Sequence, residues 1–337
     1  MNPLYVFLRK SARGFVCLRE NGWNYTWYHG LEKIGRRLYL YSKRMLPYHE
    51  VRRHKTDLCD FAAVRHVVRA MPCSGRRIAL FAMYAPSGKV PEATWIYLRG
   101  LREVSDNIIA CSDCFICPED VTRLKRHVSC AILERHGGYD FGSYARAYEM
   151  AEAQGYLADC KTLILANDSC VGPLFPFSEM FRAMANRRCD FWGQTSFSFH
   201  SRVHVQSYFM VFNRCIVESG ALGAFLTSVK TGLSRKDIIS SCEIALTESL
   251  VARGFSWGSF VPYRAMLQNP TTHPVRLMAE YSCPLVKIKA LVGESFDPLD
   301  VAIDTLKRIN PEVFNAFNAI ARDWEAVPLE EDLVAPS

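Results

Sequence analysis

The sequence predicts an α/β protein built on one mostly parallel, twisted sheet flanked by helices, with a helical N-terminal extension and further helices at the C-terminus. Three observations carry this. Short apolar runs alternate with segments of helical period from Arg77 onward. Those runs are continuously apolar, as in Ile78–Tyr84 and Thr162–Ala166, which suits strands covered on both faces. A chain of 337 residues with 49% hydrophobic and 22% charged content can bury an ordinary globular core.

Residues 1–75 form a basic helical region in this reading. Leu31, Ile34, Leu38, Leu40 and Tyr41 recur at helical spacing between Lys33, Arg36, Arg37, Lys43 and Arg44, and a second helical stretch runs from Asp57 to Met71. The formal net charge of +7 is concentrated here. Two readings of this face stay open: contact with an anionic inner-membrane surface near a lipid-linked acceptor, or a solvated basic face. Nucleic acid is not an expected partner, because no recognised binding module accompanies the charge. Pro72–Gly75 marks the boundary.

Residues 76–293 read as the main domain. Strands are expected at Ile78–Tyr84, Asn107–Cys111, Cys130–Glu134, Thr162–Ala166, Asp190–Thr195, His204–Asn213 and Trp257–Pro262. Helices are expected at Pro91–Val104, Pro118–His127, Tyr144–Gln154, Pro176–Asn186, Ala221–Thr231 and Ile238–Arg253. Residues 263–293 read as irregular. Residues 294–337 read as C-terminal helices, broken at Pro311, and an acidic tail.

No run approaches the roughly 20 apolar residues of a membrane span, and Met1–Lys10 is too charged and short for a secretory signal, so a cytoplasmic location is expected. The 13 cysteines read as reduced thiols. Cys111, Cys114 and Cys117, with His127 and Cys130 downstream, have spacing that metal clusters use, but no second Cys-x-x-Cys pair exists and buried apolar thiols are the preferred reading.

Two segments carry chemistry. The first is Glu134-Arg-His-Gly-Gly-Tyr-Asp-Phe-Gly-Ser-Tyr144, and the second is Leu163-Ile-Leu-Ala-Asn-Asp-Ser169. Gly138 and Gly142 permit close backbone approach, Arg135 can meet a phosphate, and Asp140, beside Tyr139, can accept from a ribose or base. Both segments fall at carboxyl ends of predicted strands, where open α/β sheets bind ligands.

These segments resemble the rhamnan synthesis protein F family of GT-A-type glycosyltransferases over about residues 77–292. The resemblance continues through Asp190–Thr195, His204–Asn213, Glu243–Gly254, Asn269–His273 and Pro284–Leu291. It implies transfer of rhamnose or a related deoxyhexose from a nucleoside diphosphate, dTDP-rhamnose foremost, to a glycan or lipid-linked glycan during bacterial surface polysaccharide synthesis, with inversion. A non-catalytic scaffold that binds sugar nucleotide or glycan is the alternative.

Asn167-Asp168-Ser169 occupies the place of the Asp-x-Asp of GT-A enzymes, so Asp168 would anchor the diphosphate, directly or through Mg2+ or Mn2+. His273 would complete the metal shell. Lys287 would counter the phosphate charge, and metal independence is compatible with the single acid. Glu243 falls where inverting relatives place the general base, while Cys242 replaces their preceding acid. His204, Gln206 and Ser207, at the mouth of an apolar strand, are candidates for sugar hydroxyls.

Overall fold

In the computed structural model, which describes residues 65–69, 75–199, 201–230 and 235–325, the chain builds an eight-stranded mixed sheet. Its first strands are β1 (His66–Arg69), β2 (Arg77–Met83), β3 (Asn107–Ser112), β4 (Cys130–Leu133) and β5 (Thr162–Asn167). Then come β6 (Cys170–Val171), β7 (Phe191–Gly193), β8 (Ser196–Phe199), β9 (Arg202–Val205), β10 (Phe209–Asn213), β11 (Trp257–Ser259) and β12 (Val286–Lys287). The sheet order is β1-β4-β3-β2-β5-β10-β7-β11. Strands β4, β3, β2 and β5 are parallel, β1 and β10 run antiparallel to their neighbours, and β11 is parallel to β7.

Helices cover both faces because alternate side chains of each central strand are apolar. Ile78, Leu80 and Leu165 meet α3 (Tyr139–Ala153) and α6 (Ala221–Thr227) on one face. Phe81 and Ile164 meet α1 (Glu92–Leu101) and α4 (Phe177–Ala185) on the other. The remaining helices of the main domain are α2 (Pro118–Leu124), α5 (Arg214–Glu218), α7 (Arg235–Ile238) and α8 (Ala245–Ala252). Toward the C-terminus, α9 (Pro274–Ala279), α10 (Ile288–Leu291), α11 (Leu299–Ile309) and α12 (Pro311–Glu325) follow. Met278, Leu306, Val313 and Phe317 share an apolar cluster with Ala93 and Ile96 of α1.

From β2 the chain winds outward through β3 to β4, then crosses back to place β5 on the other side of β2. That reversal opens a crevice between the carboxyl ends of β2 and β5. The site sits there.

Several predicted elements change. His66–Arg69 is a strand rather than the end of a helix, because Val67 and Val68 pair with Ile132 and Ala131 and cover the edge of β4. Helix α3 begins five residues before Tyr144, inside the glycine run. His204–Asn213 splits into β9 and β10, since the Ser207 amide donates to Glu243 instead of joining a ladder. Ile238–Arg253 contains a π-helical stretch, Ile239–Ile244. The segment 263–293 holds α9, α10 and β12, the last paired with β6. The helical reading of residues 1–64 and the acidic tail lie outside the described residues. No helix among the described residues is long and apolar enough to cross a membrane.

Candidate active site

Asp168 closes the crevice at the end of β5. Its Oδ2 accepts the Tyr84 amide at 2.7 Å, and its own amide donates to Ala82 at 3.2 Å, so the carboxylate ties β5 to the loop after β2. Burial pushes this carboxyl up to about 7, and the charge of Asp140 adds to the rise against the opposing pull of the Tyr84 amide and Lys287.

Asn167 is 1% exposed and fully committed. Its Nδ2 donates to Asp140 Oδ2 at 2.9 Å, its Oδ1 accepts the Ser169 amide at 3.2 Å and the Ser169 hydroxyl, and its amide acts on the nearby Tyr144 phenol. An acid at this position has no hydrogen to give and sets a second carboxylate against Asp140. Asn167→Asp, which brings the motif nearer to Asp-x-Asp, is therefore expected to destabilise the fold by about 2–4 kcal/mol at pH 8, with the loss shrinking as falling pH protonates the new carboxyl. Thermal melts across pH 5–8 check this.

The acids have a built-in counter-charge. Pairing of β12 with β6 sets Lys287 opposite Cys170, from where its Nζ donates to Ser169 Oγ at 2.6 Å and lies 4.7 Å from the Tyr208 ring centroid. The two residues are 118 positions apart in sequence.

Glu243 sits in the π-helical stretch, an irregularity that recurs at functional sites. Its Oε1 accepts from Ser207 N at 2.9 Å and Ser207 Oγ at 3.2 Å. The Ser207 carbonyl accepts the Tyr144 hydroxyl at 3.2 Å, and Tyr144 in turn meets Asn167. Hydrogen bonds thus link Lys287, Ser169, Asn167 and Asp140 on one side and Tyr144, Ser207 and Glu243 on the other, and Asp168 joins this network through its charge alone, which acts on Asp140, Lys287 and Tyr144. Arg135 is exposed, with no carboxylate partner among the described residues, and the Cys114 thiol feels both its charge and that of Asp168.

Three amides of the glycine run have partners within the protein. His136 and Gly137 amides donate to Asp113 Oδ1 at 2.7 and 2.8 Å, and the Gly138 amide donates to His136 Nδ1 at 3.0 Å. These donors are spent inside the protein rather than offered to a phosphate. The Gly138 bond also fixes the imidazole proton on Nε2, which faces Ser143 Oγ at 3.0 Å, and burial holds His136 below its ordinary range. A Cβ on Gly142 would lie 2.7 Å from His136 Nδ1, so close packing dictates that glycine. Tyr139 enters α3 at φ 54°, a conformation costing a bulky residue about 1–2 kcal/mol, and the turn brings Asp140 into the first turn of the helix.

Of the other candidates, Gln206 borders the cluster through Thr195 and Tyr208, the ring beneath Lys287, while His204 and His273 hydrogen-bond to residues outside it. His204 is buried, with Nδ1 3.3 Å from the Arg202 carbonyl. Gln206 is buried between Thr195 Oγ1 at 2.8 Å and Asn269 Oδ1 at 3.3 Å. His273 bonds Gln268 at 2.5 Å, lies 3.5 Å from Asp297 and stacks on Phe296. Cys242 faces the core. Among the described residues, no three His, Cys, Asp or Glu side chains converge as metal ligands, the Cys111–Cys130 group included. A cleft of about 410 Å3 lined by Arg77, Phe181, Arg182 and Trp192 opens at the opposite end of the strands, and no candidate residue lines it. Sequence reasoning passed over Tyr84, Asp113, His136 and Tyr144. His136 and Tyr144 stood in the glycine-containing run, whereas Tyr84 and Asp113 act through contacts distant in sequence.

A charged cluster at the switch point of a doubly wound sheet defines the class of α/β proteins that take ligands at their strand ends. The rhamnan synthesis protein F family matches residues 108–321, and the chain belongs to that family. The match runs through α11 and most of α12. The chain is 24% identical over 185 residues to the uncharacterized protein y4gN of Sinorhizobium fredii (strain NBRC 101917 / NGR234), covering 54% of this chain. The chain spans about half of that relative's length, 48%. Among solved structures it is similar to a cytidylyltransferase from Leptospira borgpetersenii serovar Hardjo-bovis, at 13% identity and TM-score 0.33 over 71% of this chain and 97% of that one. A glycosyltransferase involved in glycosylation of the major capsid of PBCV-1 matches at 10% identity and TM-score 0.28, over 64% and 94%.

Proposed function

We propose that the protein transfers a deoxyhexose, rhamnose foremost, from its dTDP-linked donor to a hydroxyl of a glycan or lipid-linked glycan, with inversion. The supporting observation is the convergence at the crevice between β2 and β5 of Lys287, hydrogen-bonded through Ser169 and Asn167 to Asp140, of Asp168, coupled to both by charge, and of Glu243, held by Ser207. Lys287 and Arg135 balance the diphosphate charge. Glu243 takes the acceptor proton as the acceptor oxygen bonds to the anomeric carbon, while the bond to the diphosphate breaks on the opposite face.

Asp168 and Asp140 fit a hard cation in chemical type, because they are two carboxylates close enough to act on one another through charge and their oxygens are the donors such ions prefer. Mg2+ or Mn2+ held there would neutralise charge on the leaving diphosphate. Lys287 supplies part of that neutralisation itself. The basic N-terminal region would hold the protein at the inner-membrane surface, close to a lipid-linked acceptor.

The neutral Asn167 and core-facing Cys242 favour one second reading, a scaffold that binds the donor without turning it over. Thermal melts with a panel of nucleotide sugars, with and without Mn2+, test the binding common to both. At a hundredfold excess over Kd the preferred donor is expected to stabilise by about 2.7 kcal/mol, or roughly 4 °C. Absence of a shift with every nucleotide sugar would contradict both readings, whereas a shift without turnover would favour the scaffold.

A further inference from the structure

The network has two halves from distant parts of the chain. Asp140 and Asn167 form one, and Ser207 and Glu243 form the other. Tyr144 stands between them. Its side chain is 0% exposed, its ring packs edge-on against Phe141 at 5.7 Å, it stands one turn after Asp140 in α3, and its hydroxyl donates to the Ser207 carbonyl while feeling the Asp140 charge and the Asn167 amide. Ser207 lies outside β9 and β10, and both its N–H and its hydroxyl grip Glu243 Oε1. Whatever moves the Ser207 peptide therefore turns the Glu243 carboxylate.

We propose that Tyr144 is a positioning residue: through its hydroxyl, the orientation of Glu243 depends on the Asp140 end of α3, so that the acceptor is deprotonated only after a donor has engaged Asp140. The inference rests on the transferase reading above. Burial, and then the charge of Asp140, hold the phenol well above its ordinary range, so Tyr144 remains an O–H donor and is not itself the base.

Tyr144→Phe keeps the ring and removes the tie. Donor affinity is expected to stay within about threefold, while transfer kcat falls about 10- to 100-fold and hydrolysis of the donor by water falls far less, lowering the transfer-to-hydrolysis ratio by about tenfold. In a Glu243→Gln background the additional effect of Tyr144→Phe should vanish. Unchanged partition between transfer and hydrolysis, or an equal loss in both backgrounds, would overturn the inference. Should the variant fail to fold, 3-fluorotyrosine at 144 retains shape and alters only O–H donor strength. It should change transfer at least twofold with hydrolysis unmoved, and no change in either rate would overturn the inference equally. Unmodified protein that turns over no nucleotide sugar would instead sink the transferase reading.

Discussion

Asp168→Asn is expected to abolish transfer and, in the same molecule, to raise the melting temperature of the ligand-free protein at pH 8. The sign follows from linkage. The Asp168 carboxyl sits near 7 in the fold, against an ordinary 3.8, so between about pH 4 and 7 the folded protein keeps a proton that the unfolded chain has lost. Stability therefore falls as pH rises through that window and stays reduced above it. Asparagine carries no charge, and its carbonyl oxygen can still accept the Tyr84 amide. The full shift corresponds to an upper bound of about 4 kcal/mol, and solvent at this half-buried carboxylate reduces the expected gain to about 1–2 kcal/mol, or several degrees. The gap between variant and wild type should close toward pH 4. A variant that melts lower than wild type at pH 8 would show that Asp168 holds the fold together rather than serving a ligand.

Glu243→Gln is expected to lower transfer by about 10^2- to 10^4-fold while leaving donor Kd within about threefold. Glutamine keeps the oxygen that accepts from Ser207 N and Oγ, so the local geometry survives and only the proton-accepting capacity is lost. Glu248, the other acid of this region, is exposed and paired with Arg202, whose Nε lies 2.7 Å from its Oε1, and that hydrogen bond holds it below the usual carboxylate range. It is therefore poorly placed to take over the proton. Rates measured under donor saturation with acceptor present distinguish the outcomes, and full transfer by Glu243→Gln would assign the base elsewhere.

The central strands were legible because burial on both faces writes itself as unbroken apolar runs, as in Ile-Ala-Leu-Phe-Ala-Met at 78–83. His66–Arg69 was not, since a four-residue edge strand amid basic residues has no periodicity to read. The glycine run resembled a phosphate loop because glycine disfavours helix interiors. Its actual constraint, the His136 ring packed against Gly142, is a tertiary contact. The stretch Ile-Ser-Ser-Cys-Glu-Ile carries neither proline nor glycine to announce its π-helical turn. Asn167 read as a degraded acid, whereas its amide is what Asp140, 27 residues away, and Tyr144 require. Residue types at the site were thus readable, but the hydrogen bonds assigning their roles join elements far apart in sequence.

The central claim is that one network at the β2–β5 crevice binds a sugar nucleotide and cleaves it. Release of nucleoside diphosphate from dTDP-rhamnose, followed with acceptor present for wild type, Asp168→Asn and Glu243→Gln, tests it most directly. Steady release by wild type and near-background release by both variants is predicted. Equal release by all three proteins would contradict it.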